Sequence, residues 1–303
     1  MVHGISRAAL WGFTFSLKTA LKVFLVPLRC NCVYSRKDVL SSLTYFSLEA
    51  EYTDGGLILE KRLRLHYKLG NVPDADTLLY RLKKMSRRDT LSMLQELNES
   101  VLCMAKGKGA FRRKAAADID LTYIPYYGKP TPYVVQGQYK LGTSWFHCYA
   151  AIRLVEKDRR YAIKSRLVKP LELCEKDRIV EELVTDAKRQ GVHIRLLLLD
   201  KGFYSHEVIK TLKALGVKFL IPAPKNSSVK EAILDYITWK RQVRRFNLKK
   251  GGDEVNFNLT IHRLRKTKND FIFELYGAFA TNLGQEKALK AWSQLPEDYR
   301  KRW

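Results

Sequence analysis

An α/β protein with a helical N-terminal region and a β-rich stretch near its end is predicted, on three observations. In the middle of the chain, apolar residues recur in short runs at Ala115–Tyr123, Trp145–Val155 and Tyr161–Leu167, as half-buried strands require. Beyond them, helix-like and strand-like periodicities take turns as far as Pro222. Before them, the apolar residues of 1–105 fall at helical spacing. The 303 residues are 46% hydrophobic and 28% charged, which suits one large domain or two to three smaller ones and excludes wholesale disorder.

The N-terminal segment Ala8–Leu28 is fairly apolar, but Lys18 and Lys22 interrupt it, so it reads as an amphipathic helix and not as a membrane span. Leu78, Leu79, Leu82 and Met85 predict a helix capped by Asp76-Thr77 after Pro73. After a break around Ser86, Leu91, Leu94 and Leu97 predict another. The cations of Arg81–Arg88 suit either a helix lying along DNA or a solvated face. Residues 1–105 are therefore a helical, candidate DNA-binding region, and Lys106–Arg113 reads as a linker.

From residue 113 the three strand candidates come first. A helix over 174–190 follows, with Ile179, Leu183 and Ala187 in register and Gly191 after it. His193–Leu199 ends in four leucines, the pattern of a strand covered on both faces. A helix over Ser205–Leu215 and a strand over Lys218–Pro222 complete the series. The order β-β-β-α-β-α-β is that of a ribonuclease-H-like core, a hairpin meander joined to a parallel half-sheet by crossover helices. Residues 225–270, very basic around Lys240–Lys250 and alternating over Val255–Leu264 and Phe271–Ala280, predict a β-rich insertion. A last helical segment spans Gln285–Trp303.

The 55 Lys and Arg against 31 Asp and Glu leave a net charge of +24, an excess that points to a polyanion and first of all to nucleic acid. The five cysteines, Cys30, Cys32, Cys103, Cys148 and Cys174, have no zinc-site spacing and no framework pairing, as expected of reduced thiols in the cytoplasm.

Chemistry in such a core needs carboxylates that hold Mg²⁺ or Mn²⁺ for in-line phosphoryl displacement, because hard cations take oxygen ligands. Asp118 and Asp120, two apart on the first strand, share a face. Asp200 stands at the carboxyl end of the leucine strand, a ligand-facing position in α/β architecture, and is followed by Lys201 and Gly202.

Three segments carry a resemblance: Asp120-Leu-Thr-Tyr-Ile-Pro-Tyr-Tyr-Gly128, Asp200-Lys-Gly-Phe-Tyr-Ser205 and Tyr299-Arg-Lys-Arg302-Trp303. Over roughly residues 75–303 the chain resembles insertion-sequence DDE transposases, in particular the group marked by Tyr-x2-Arg-x3-Glu-x6-Lys. The resemblance implies Mg²⁺- or Mn²⁺-dependent DNA cleavage and strand transfer, in a nucleoid-associated protein with transposon ends and target DNA as partners. A homodimer is one candidate assembly. It also implies that Asp120 and Asp200 are catalytic metal ligands, with Asp118 the fallback for the first, and that Tyr299 and Arg302 begin the signature.

The signature's Glu would fall four positions beyond Arg302, past Trp303, so the third acid is expected to be missing and cleavage impaired. Glu297 and Asp298 lie just upstream, but Glu297 would need a repositioning of about 13 Å along a helix to replace it. Lys201, Lys249, Lys250 and Arg302 are candidate phosphate contacts. Of Trp145, Trp239, Trp292 and Trp303, Trp239 in the basic stretch is the best candidate to stack on a flipped base. The rival readings are a non-catalytic DNA-binding remnant and a ribonuclease-H-like nuclease acting on RNA.

Overall fold

The computed structural model describes residues 7–28, 32–49, 71–157, 159–268 and 271–302. Cys30 and Trp303 lie outside them. The chain divides into two compact units, Met1–Ala105 and Lys106–Trp303.

The first unit is helical: α1 (Arg7–Val23), α2 (Arg36–Glu49), α3 (Ala75–Lys83) and most of α4 (Arg87–Gly107). Its core gathers Phe13, Leu17 and Ala20 from α1 with Val39, Leu40 and Tyr45 from α2 and Leu78 from α3. The cap of α3 is Asp74, whose carboxylate accepts the Thr77 N–H at 2.6 Å, and not the expected Asp76-Thr77. At the break, Ser86 donates to Asp89 and accepts its N–H, which starts α4 afresh. Helix α4 runs through Gly107 into the expected linker. Among the described residues no helix is long and apolar enough to cross a membrane.

The second unit is built on one sheet of β1 (Ala115–Pro125), β2 (Val135–Lys140), β3 (Thr143–Glu156), β4 (Arg159–Val168), β5 (Ile194–Leu199), β6 (Phe219–Pro222), β7 (Val243–Lys250), β8 (Asp253–Lys268) and β9 (Phe271–Thr281). Its central order is β4-β3-β1-β5-β6, with β3 antiparallel to β1 and β4, and β1, β5 and β6 parallel. That is the ribonuclease-H-like arrangement. Helices α5 (Lys176–Arg189) and α6 (His206–Ala214) make the two parallel crossovers. Leu196, Leu197, Leu198 and Leu199 are all buried, so β5 is covered on both faces as its composition requires.

Three features depart from expectation. β2 forms a hairpin with β3 through Leu141 (φ 52°) and Gly142 (φ 83°), the paired positive φ angles of a type I′ turn. Residues 225–270 are not a purely β insertion: α7 (Ser227–Trp239) comes first, capped by Asn226, and buries Val229, Ala232 and Ile233. The strands after it extend the central sheet, because β9 pairs with β6 through Ile221↔Ala280 and Pro222↔Phe279. The C-terminal segment breaks into α8 (Gln285–Lys290) and α9 (Leu295–Arg300), the second with Pro296 in its first turn.

One face of the sheet positions the site. Ala116, Val155, Leu196, Leu198, Leu220 and Phe279 form an apolar floor under Leu295, with Ala291 and Tyr299 packed against it. By strand alternation Asp118 and Asp120 continue the row begun by Ala116, Arg153 that of Val155, and Asp200 that of Leu198. The apolar floor thus ends in a charged patch.

Candidate active site

Strand register brings the acids together. β1 and β5 pair in parallel as Asp118↔Leu198 and Ile119↔Leu199, so one step further Asp120 stands beside Asp200 on adjoining chains. The three carboxylates differ in setting. Asp118 has no exposed side-chain surface, whereas the Asp120 and Asp200 side chains are 31% and 58% exposed.

Two guanidinium groups hold the acids. Arg153, directly opposite Asp118 in the β1–β3 pairing, donates from Nε to Oδ1 at 3.0 Å and from Nη2 to Oδ2 at 2.5 Å. Its Nη2 also lies 3.7 Å from Asp120 Oδ2. The hydrogen bond to Asp118 raises the Arg153 pKa above its ordinary value. The second guanidinium is that of Arg302, just past α9, with its side chain 2% exposed. Arg302 donates from Nη2 to Asp120 Oδ1 at 3.1 Å and stands 3.6 Å from Asp200 and 3.8 Å from Asp118. Its Nη1 donates to the Tyr299 hydroxyl at 2.8 Å. Burial raises the Tyr299 pKa, with Arg302 acting against it.

An ion network anchors α9. Asp298 pairs with Lys301 at 2.9 Å and with Arg195 at 3.6 Å, and both cations also reach Glu156. Glu156 in turn accepts the Ala116 N–H at 2.8 Å. Burial works against the charged form of Glu156, but these donors outweigh it and its pKa is lowered. The residues that carry Tyr299 and Arg302 are thereby tied to the starts of β1 and β5 and to the end of β3.

The sequence matches the family described as Transposase DDE domain over residues 114–303. The chain belongs to that family. Solved structures with similarity include a piggyBac transposase synaptic complex with hairpin DNA, 11% identical with a TM-score of 0.43, covering 97% of this chain and 58% of that one. Another is the Mos1 transposase paired-end complex with left transposon end, 16% identical with a TM-score of 0.24, covering 64% of this chain and 61% of that one. A third is YeaZ from Pseudomonas aeruginosa, 9% identical with a TM-score of 0.21, covering 57% of this chain and 70% of that one. This chain thus spans about three fifths of each of the two transposase chains. No curated protein matches it.

Within the transposase DDE domain, Asp118, Asp120, Asp200, Tyr299 and Arg302 from the sequence reading come together. The acids upstream of Tyr299 do not join them: Glu297 pairs with Arg300, and Asp298 belongs to the anchoring network. Lys201 is exposed in the turn after Asp200. Lys249 and Lys250, at the tip of the β7–β8 hairpin, pair with Glu254 and Glu207, and the bond to Glu207 raises the Lys250 pKa. Trp239 ends α7 with 70% exposure, next to a basic cavity of about 580 Å³ lined by Lys240, Arg241, Arg244 and Arg245. Trp292 is a packing residue, stacked on His262 at 5.1 Å with its indole N–H donating to the Ile261 carbonyl.

The family's divalent cation fits the donor set. Asp120 and Asp200 offer hard oxygens, and the space between them already accommodates a positive charge, the guanidinium of Arg302. Among the described residues no group of three or more His, Cys, Asp or Glu could hold a metal, so Asp120 and Asp200 by themselves leave the coordination shell incomplete.

Sequence reasoning missed Arg153 and the network of Glu156, Arg195, Asp298 and Lys301. A signal existed for Arg153, a lone cation between Ile152 and Leu154 in an otherwise apolar strand. The network joins residues far apart in sequence and left no local pattern.

Proposed function

We propose that residues 1–303 are the DNA-acting part of an insertion-sequence-type transposase, with Asp120 and Asp200 as the catalytic carboxylates. The observation that supports this best is the adjacency of those two acids, Asp120 within β1 and Asp200 at the carboxyl end of β5, sharing one buried guanidinium. Asp118 is a poorer ligand, because both of its oxygens are taken by Arg153.

Mg²⁺ or Mn²⁺, when bound by Asp120 and Asp200, would supply the Lewis acidity for in-line displacement at a phosphodiester. The chain's own residues do the rest. Arg153 fixes Asp118 and screens the charge beneath the pair, Tyr299 orients Arg302, and the apolar floor keeps the inner side of the site dry. Lys201 and the cations around Trp239 would bind phosphates, and residues 1–105 would serve as a second DNA-binding region. The work belongs to nucleoid DNA.

The signature's Glu is not among residues 1–303, so this polypeptide, assayed as such, binds DNA ends and cuts little. The test is nicking of supercoiled DNA carrying the element's ends, in Mg²⁺ or Mn²⁺, by residues 1–303 and by a version prolonged to carry that Glu. Cutting by the prolonged form only, abolished by Asp120→Ala and by Asp200→Ala, is the expected result. Cutting that survives both substitutions would remove the two acids from the mechanism.

A further inference from the structure

We infer that Arg302 is a built-in counter-ion of the Asp120–Asp200 pair, so that a divalent cation enters this site only by displacing its guanidinium. The inference rests on the reading of Asp120 and Asp200 as metal ligands, and it concerns what those ligands do before any metal arrives.

Three carboxylates meet at the end of the β1–β5 floor, and like charges at such distances repel unless a cation stands among them. Arg153 satisfies Asp118 from one side. Arg302 serves the other two: Nη2 donates to Asp120, and Nη1 lies 3.6 Å from Asp200. The guanidinium spans the two acids and holds Oδ1 of Asp120, one of the oxygens that could serve a cation.

Arg302 does not reach the acids by chance of a mobile surface chain. Its side chain is 2% exposed, Tyr299 takes its Nη1 hydrogen at 2.8 Å, and the Asp298–Lys301–Glu156–Arg195 network pins the helix just before it. The outer sides of Asp120 and Asp200 remain open to solvent, so an incoming ion can approach while the guanidinium is in place. The site therefore chooses between a fixed single charge and a diffusible double charge, and the outcome is set by how firmly Arg302 is held. A charge-assisted hydrogen bond contributes about 1.5–3 kcal/mol, which corresponds to roughly tenfold or more in metal affinity.

The experiment is a Mn²⁺ titration followed by electron paramagnetic resonance, on the full chain and on Arg302→Gln, with thermal unfolding to verify the fold. Arg302→Gln should bind Mn²⁺ about tenfold tighter or better. Adding Asp120→Asn to Arg302→Gln should erase that gain. If Arg302→Gln binds Mn²⁺ no tighter, while Asp120→Asn still weakens binding to the unaltered chain, the counter-ion inference is wrong and the metal-ligand reading stands. If neither form binds Mn²⁺, both fall. Should Arg302→Gln fail to fold, Tyr299→Phe removes one hold on the guanidinium while keeping the ring. It should bind Mn²⁺ about two- to threefold tighter, and unchanged affinity would overturn the inference.

Discussion

Arg302 donates to Asp120 at 3.1 Å across 182 residues of sequence, and this one bond ties the last described residue to the first strand of the sheet. It exists because α9 is laid over the apolar face that β1, β3 and β5 share, so the segment that completes the core also delivers a cation to the acids. Packing and electrostatics at this site are one arrangement.

Asp118 and Asp120 should separate in their effects. Asp118 is fully buried and bidentate with Arg153, so Asp118→Ala should cost about 2–3 kcal/mol of stability in denaturant unfolding. Asp120 is partly exposed, so Asp120→Ala should change stability less while removing Mn²⁺ binding. Equal losses of stability from the two would contradict the division of roles.

Acid should destabilise the second unit through His262. Burial against Trp292 and Phe279 lowers its pKa from 6.5 to about 4, so the folded chain keeps it neutral where the unfolded chain protonates it. Between those values the unfolded state binds more protons, and stability falls as pH drops from about 6.5 towards 4, by about 3 kcal/mol in all. Urea unfolding across this range should show that slope, and His262→Phe should flatten it.

The anchoring network should control the order of α9. Asp298 is nearly buried between Arg195 and Lys301, so Asp298→Ala should cost about 1–3 kcal/mol and speed amide exchange over residues 295–302. Glu297→Ala, which removes only an exposed pair with Arg300, should stay within about 0.5 kcal/mol of the unaltered chain.

Two tryptophans should part company. Trp292→Ala removes a stacked, hydrogen-bonded packing residue and should cost about 3–5 kcal/mol. Trp239→Ala, at an exposed position, should leave the melting temperature unchanged and weaken binding of single-stranded or distorted DNA by about 1–3 kcal/mol. Fluorescence anisotropy on labelled DNA would measure it.

The core strands were legible because each carries a local signature. The four leucines before Asp200 and the alternation over Ala115–Tyr123 leave little choice of element, and the spacing of Asp118 and Asp120 places both on one face. β2 was not, because its turn uses Leu141 at positive φ, where a turn-forming residue would have announced it. The Gly251-Gly252 turn of the β7–β8 hairpin was a readable signal, but the cations of β7 obscured the alternation beside it. Asn226 with Val229, Ala232 and Ile233 likewise marks α7, inside a stretch read as β-rich.

The sequence alone determined the alternating order of strands and helices, the basic character of the surface, and the placing of one acid on the first strand and another at the end of the leucine strand. All follow from periodicity and composition, which act over neighbouring residues. The tertiary structure decided that residues 243–281 extend the central sheet, that Asp118 is spent on Arg153, and that Arg302 bridges Asp120 and Asp200. Those are pairings between distant residues. Strand register and the closure of the apolar floor select them, and neither is written in any local stretch of sequence.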